Sequence, residues 1–380
     1  MLLALAVVTL LWAIASFADL VIGSRSIPLL AKQPVLDGAG PRVSIVIAAR
    51  DEARQIEAAL RSVLSQNYDD YEVILVDDRS TDDTGAILDR MAANDPRLRV
   101  LHVTELPAGW LGKNHALMRG AEAARSEFLL FSDADVVLHP TALSRAVRYM
   151  IDHRVDHIAV GPHVESPSAL LALGVNYFAL MFMLYLRPWR AHVPGTRWHA
   201  GIGAFNLVRA TSYVAAGTLR RIALRPDDDL KLGKILKMSG ASQHVLSGRD
   251  MVSVEWYRTL GEFVRGLRKN SFAGLDYSLL LAAGGIIVQI GFNVWPFMAI
   301  LATTGPVRTL NIAIVLVLVA MSASCAYAMR SRPWLAILHP IAALIFAYTV
   351  TAAILRTLIT GGIEWRDTRY SLDELRSNKI

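Results

Sequence analysis

Four long apolar stretches bracket this chain, and they constrain it more than any motif does. One opens it, "LLALAVVTLLWAIASFADLVIG", Leu2 to Gly23. The others run roughly over Leu279–Thr303, Leu310–Met329 and Leu335–Ile359. A helix of about 20 apolar residues crosses a bilayer, and each stretch reaches that length. Of the 380 residues 53% are hydrophobic and 19% charged, and the charges concentrate in the middle. The chain is too long for one ordinary core. The composition therefore predicts a membrane protein with a polar middle domain.

Flanking charge gives the expected orientation. Arg25 and Lys32 follow the first stretch, which places the middle domain in the cytoplasm by the positive-inside rule. The stretch lacks the basic start of a secretory signal, so it reads as an uncleaved anchor, although "SFA" before Asp19 resembles a cleavage site. Arg330 and Arg332 assign the loop between the last two stretches to the cytoplasm as well. The tail, Glu364–Ile380, then lies outside if all three C-terminal stretches cross, and a re-entrant segment would reverse its side. The expected division is an anchor over residues 1–23, a catalytic domain over 24–250, an interfacial segment over 251–278, three transmembrane or re-entrant helices over 279–359, and a tail over 360–380. The net charge of +6 fits contact with anionic headgroups of a plasma (inner) membrane, and no basic run interleaved with aromatics points to nucleic acid. The single cysteine, Cys325, excludes a disulfide within the chain.

The middle alternates. "VSIVIAA" (Val43–Ala49), "YEVILVDD" (Tyr71–Asp78), "LRVLHV" (Leu98–Val103) and "EFLLFSDAD" (Glu127–Asp135) read as buried strands. Helical patterns over Ala53–Ser65, Asp82–Ala93 and Asn114–Arg125 separate them. Apolar runs alternating with helices mean βαβ units and a mostly parallel sheet. Ligands of such sheets collect beyond the carboxyl ends of the strands. Two of these strands end in paired acids, Asp77-Asp78 and Asp133-x-Asp135. Like charges this close stay ionised only beside a cation or hydrogen-bond donors. Magnesium or manganese suits a few carboxylates plus phosphate oxygens. A lone D-x-D is more often solvated acid; the ordered set in one sheet is what favours a metal-diphosphate.

The ordered string "VSIVIAARDE…LVDDRSTDDT…GWLGKNHAL…FSDADVVL…DDDLKLG" resembles family 2 glycosyltransferases, over about Arg42 to Arg249. The flanking apolar stretches are similar to those of the lipid-modifying branches: hopanoid-associated, carotenoid-ester and ceramide glucosyltransferase-like enzymes. The resemblance implies an α/β GT-A fold, a Rossmann-like mixed sheet, joined to transmembrane helices. It implies an inverting transfer from a nucleotide-diphospho-sugar with Mn2+ or Mg2+. By position, Ala49 and Glu52 would meet the nucleoside, in "AARDE" where the family has P-A-x-N-E. Asp78 would accept from the imide of a uracil base. Lys113 would reach a phosphate, an anion-binding role that explains a cation at a helix start better than solvation does. Asp133 and Asp135 would hold the metal, Asp135 more directly. Asp228-Asp229-Leu230-Lys231-Leu232-Gly233 matches E-D-x-x-L-G, which makes Asp229 the general base beside Asp228; either acid could also simply cap a helix. "WHAGIGAFNLVRA" matches an acceptor-side segment in which Gly201, Gly203 and Ala204 would let backbone approach the sugar. His199 is a candidate third metal ligand, with a structural role favoured.

"ALLALGVNYFALMFMLYLRPWR" (Ala169–Arg190) is long enough to cross, yet a crossing there would separate Asp133 from Asp229, so an interfacial helix is expected. Trp256–Ser278 is basic with spaced aromatics and reads as a second interfacial element. It carries Arg265 and Arg268 but no Q-x-x-R-W, the motif of polymerising relatives, so one transfer to a membrane lipid is expected rather than chain extension. A polyprenyl-phosphate acceptor, a small polysaccharide synthase and an inactive nucleotide-sugar-binding scaffold are the competing readings.

Overall fold

In a computed structural model the chain forms two compact units, described over residues 2–366 and 368–380. One comprises Ile27–Glu165, Pro188–Glu255 and Ser377–Ile380; the other comprises Met1–Ser26, Ser166–Arg187 and Trp256–Arg376.

The first unit is a sheet domain. Its strands are β1 (Val43–Ala49), β2 (Tyr71–Asp78), β3 (Leu98–Val103), β4 (Phe128–Asp133), β5 (Val136–Leu138), β6 (His157–Gly161), β7 (His163–Val164), β8 (Asn206–Arg209), β9 (Gln243–Ser247) and β10 (Val252–Val254). The main sheet has the order β3-β2-β1-β4-β8-β6-β9, and β5-β10-β7 form a small second sheet. β1 is nearly all aliphatic and buried on both faces, as a central parallel strand requires. It pairs in parallel with β2 and β4, placing Ala49 opposite Asp77 and Ala48 opposite Asp133. The carboxyl ends of three adjacent strands therefore meet in one place.

β8 departs from the parallel pattern. It runs antiparallel to both β4 and β6, with Phe131 opposite Asn206. That reversal makes the sheet mixed and brings the start of β8, with the turn before it, to the carboxyl end of β4. The segment "WHAGIGAFNLVRA" thus supplies a turn, a strand and the first residue of the helix Ala210–Ala215.

The second unit is helical. Leu2–Ser26, Gly305–Ala328 and Pro333–Thr360 are long and apolar enough to cross a membrane, as is the helical stretch Ala169–Arg190. Leu279–Asn293 and Trp295–Ala302 qualify only as a pair, bent by 46°. The expected single helix over 279–303 is therefore broken at Val294. On the first helix the buried side is mostly small or polar, with Ala6, Thr9, Ala13, Ser16 and Gly23 beside a single Leu20, a composition that lets membrane helices approach closely. It packs along Gly305–Ala328. A polar chain secures the break. Asn293 Oδ1 accepts from His339 Nε2 at 3.2 Å, His339 Nδ1 accepts from Ser322 Oγ at 2.6 Å, and Asn293 Nδ2 donates to Gln289 Oε1 at 3.2 Å. Gln289 in turn donates to the Tyr177 hydroxyl. Asp19 pairs with Arg187 at 3.3 Å, so the acid inside the first stretch is not left alone. Arg265 and Arg268 lie on the helix Leu260–Ala273 of this unit. After the helix that ends at Thr360 come the hairpin β11 (Gly362–Trp365) and β12 (Thr368–Ser371) and the helix Leu372–Ser377.

Candidate active site

Three elements of the sheet domain converge on one small pocket lined by Lys113, Asp133, Gly203, Asp228 and Asp229, with Phe131 at its wall. β4 delivers Asp133 because its apolar run ends there. The helix Gly112–Ala123 delivers Lys113 from its first turn, and the helix Asp228–Met238 delivers Asp228 and Asp229 from its first turn. Acids at a helix N-terminus are favoured by the dipole and a lysine is not, so Lys113 must be held by something else. Its ammonium lies 2.8 Å from Asp133 Oδ1 and 3.2 Å from Asp228 Oδ2. Burial alone would lower its pKa, but Asp133, Asp228 and Asp229 together outweigh burial and hold it well above the ordinary value.

Gly203 ties the acids together. Its N–H donates to Asp229 Oδ2 at 2.8 Å, and its carbonyl accepts from the Asp133 N–H at 3.0 Å. A Cβ at Gly203 would collide with the Asp133 carboxylate, so only glycine permits this approach. Asn206 shapes the turn by accepting from the Ile202 N–H and from His157 Nε2. Asp229 Oδ1 accepts from the Leu230 N–H at 2.7 Å. Burial, then the neighbouring Asp228, push the Asp229 carboxyl up to about 7, with Lys113 pulling the other way. Asp229 is therefore poised to exchange a proton near neutrality.

Asp135 follows β4 in the turn to β5. Burial, Asp133 and Glu52 push its carboxyl up to about 7. This concentrated negative charge fits a divalent cation completed by phosphate and water oxygens. Among the described residues no group of three His, Cys, Asp or Glu side chains gathers to hold a metal; Asp133 and Asp135 could contribute two ligands. His199 lies outside such a group; its Nδ1 bonds the Arg197 carbonyl at 2.9 Å.

The nucleoside side of the site lies at the ends of β1 and β2. Ala49 is buried beside Asp77. The Glu52 N–H donates to Thr84 Oγ1 at 2.8 Å, and Asp51 accepts from the Thr81 N–H at 2.7 Å, which holds its carboxyl below the usual range. Asp51, in the position where the family motif has asparagine, thus fastens the β1 loop to the loop after β2. Asp78 is buried and carries a bidentate bridge to Arg79, at 2.8 and 3.0 Å. Gly112 passes so close to this carboxylate that a Cβ would strike it.

The structure thus brings Lys113, Asp133, Gly203, Asp228 and Asp229 together, with Ala49, Glu52 and Asp78 along the same strand ends. Sequence reasoning missed three supports. Arg79 braces Asp78. Arg225, fully buried, holds Asp227 at 2.9 and 3.0 Å. Asn114 Nδ2 reaches the carbonyls of Ile222, Ala223 and Arg225 at 2.8, 3.2 and 2.9 Å. For Arg225 the signal was present, a basic residue two before the acidic triplet. For Asn114 it was not, because its partners are more than a hundred residues away.

A mixed sheet with this strand order and acids at the carboxyl ends of its strands, joined to apolar helices, is a fold of GT-A type. Residues 44–183 match the model of Glycosyl transferase family 2. Among curated proteins, the glycosyltransferase AglD of Haloferax volcanii is 39% identical over 103 residues, 26% of this chain and 16% of AglD. The 4,4'-diaponeurosporenoate glycosyltransferase of Staphylococcus haemolyticus is 38% identical over 99 residues, 26% of this chain and 25% of that protein. The matched stretches thus span a quarter or less of these relatives. Among solved structures, the mannosyltransferase PcManGT from Pyrobaculum calidifontis, in complex with GDP-Man and Mn2+, superposes with a TM-score of 0.52 at 19% identity, covering 94% of this chain and 99% of that one.

Proposed function

We propose that the protein is a membrane-bound inverting glycosyltransferase that moves one sugar from a nucleotide-diphospho-sugar to the hydroxyl of a membrane lipid. The observation that carries this reading is the arrangement of Asp229, with a pKa raised to about 7, on the same glycine that touches Asp133.

Roles follow from position. Asp78 would accept the imide N–H of the base, with Arg79 beside it as a donor to a base carbonyl; this pairing suits uracil. Glu52 and the backbone at Ala49 would border the ribose. Lys113, already charged and held between two acids, would turn one of its three donors to the diphosphate. A divalent metal, Mn2+ or Mg2+, held by Asp133 and Asp135 would supply Lewis-acid stabilisation of the leaving nucleotide diphosphate. Asp229 would accept the proton of the acceptor hydroxyl as its oxygen bonds the anomeric carbon and the bond from that carbon to the diphosphate breaks on the opposite face. A base so placed contributes about 10²–10⁴-fold. Asp228 keeps Lys113 in place.

The helices support a lipid acceptor, since they would hold the site at a bilayer where such an acceptor resides. The sheet supports a non-crossing Ala169–Leu186 helix, because β6 precedes it, β8 follows it, and the two strands pair. Ser377–Ile380 belong to the sheet domain, which supports an even number of crossings between Trp256 and Arg376. One of the three C-terminal segments would then not cross, and the tail would return to the catalytic side, taken as cytoplasmic from the charges.

The test is a transfer assay on the purified chain with Mn2+ or Mg2+, a panel of UDP- and GDP-sugars, and total membrane lipid or polyprenyl phosphate, read by mass. One added hexose on one lipid class, abolished by a chelator, is expected. Repeated additions would point to the synthase. Donor binding without turnover of either donor or acceptor would point to the scaffold, and no donor binding would overturn the reading.

A further inference from the structure

Ser377 ends the helix Leu372–Ser377 and residues 378–380 form no element, yet Ser377–Ile380 fold into the sheet domain beside the acidic helix. Asn378 carries the attachment. Its Oδ1 accepts from the Leu224 N–H at 3.0 Å, and its Nδ2 donates to the Arg221 carbonyl at 2.8 Å. Two residues on, the backbone carbonyl of Ile380 accepts from Lys234 Nζ at 2.6 Å. The Ile380 side chain is half-buried against a cluster that includes Leu219, Ile222, Leu232 and Ile235. The tail thus spans from the loop before the acidic triplet to the second turn of the helix that carries Asp228 and Asp229.

That loop is held on its other side as well. Asn114 binds three of its carbonyls, and the Leu111 N–H donates to Ala223 O at 2.9 Å. Asn114 and Leu111 flank Lys113, whose ammonium bridges Asp133 and Asp228. The loop 221–225 therefore has two clamps, one leading to Lys113 and one to the tail. An asparagine amide that matches one backbone donor and one backbone acceptor three residues apart is a specific fit, since either half alone would leave a backbone group to find another partner.

We infer that Asn378 is a positioning residue that straps the loop 221–225 and so fixes where the helix start places Asp228 and Asp229. The consequence for catalysis rests on the function proposed above; the strap itself does not. The residue touches neither donor nor acceptor. It acts through the backbone that carries the base, and displacement of a reacting group by about 1 Å can cost up to ~100-fold in rate.

The experiment compares the full-length chain with Asn378→Ala and Asn378→Asp in detergent or nanodiscs. Asp keeps the acceptor for the Leu224 N–H but cannot donate to Arg221 O. Amide exchange over 224–229 and over 43–49 reads the strap without any need for activity. Faster exchange in N378A at 224–229, with 43–49 unchanged and N378D between, is expected. In the transfer assay kcat should fall about tenfold or more with the donor KM within about twofold, the pattern of a displaced base rather than a damaged donor site. Unchanged exchange at 224–229, or an increase shared by 43–49, would overturn the strap. A faster-exchanging loop with an unchanged kcat would overturn its positioning role. If the unaltered chain transfers no sugar, the function reading fails while the exchange comparison still decides the strap.

Discussion

Asp229 combines features that rarely coincide in a surface acid: a backbone N–H on each oxygen, a cation nearby, and a carboxyl still pushed up to about 7. The hydrogen bonds favour the charge, and burial with Asp228 opposes it more strongly. The sign of the pH dependence follows. Below about pH 7 Asp229 holds a proton and cannot accept another, so kcat/KM for transfer should climb as pH rises through that value and level off above it. Asp229→Asn should remove this limb and lower kcat by about 10²–10⁴-fold while leaving donor affinity, measured by calorimetry, within a few-fold. Gly203 is as constrained as the acids it joins. Gly203→Ala should lower transfer at least ~tenfold by pushing Asp133 aside, with circular dichroism unchanged; full activity would mean that the acids have slack the structure does not display.

The helices of the second unit depend on a different balance. In the proposed bilayer setting no water competes for polar groups, so the chain from Ser322 through His339, Asn293 and Gln289 to Tyr177 would have to satisfy itself. It sits where the helix pair breaks, and Asn293 is the member that joins His339 on another helix to Gln289 one turn back on its own. Asn293→Leu would orphan the His339 and Gln289 groups at once. The expected cost is about 1 kcal/mol, read as a lower thermal midpoint in detergent. An unchanged midpoint would mean that the break is set by Pro296 and backbone alone. In the sheet domain, strand boundaries come from aliphatic runs and are sharp, whereas the helices start two or three residues away from where capping residues suggest. The acids of "STDDT" illustrate why: Asp82 accepts from the Ala53 and Thr84 N–H groups, tying two loops, and the helix begins only at Thr84.

For the molecule as a whole, the proposed topology rests on the sheet as well as on hydropathy. Hydropathy marks Ala169–Arg190 as a span, but the strands on either side share one sheet. With Ser377–Ile380 in the same unit, a cysteine at Ser377 and one at Ser65 should label from the same face of sealed vesicles, with the buried Cys325 replaced by alanine. Labelling from opposite faces would restore three full crossings after residue 278. The sequence by itself determined β1, β2 and β3 to the residue, the acids at their ends, and the apolar helices, because alternation and aliphatic runs are local properties that burial rewards wherever the chain goes. It also singled out Lys113 and Asp229, but not what each would touch. Only the tertiary structure decided that Lys113 bridges Asp133 and Asp228, that the antiparallel β8 carries Gly203 onto both Asp133 and Asp229, and that Asn378 reaches back 154 residues to Leu224. Those contacts join segments far apart in the chain, and nothing in local spacing encodes which distant backbone group a side chain will meet once loops have closed and the sheet has chosen its order.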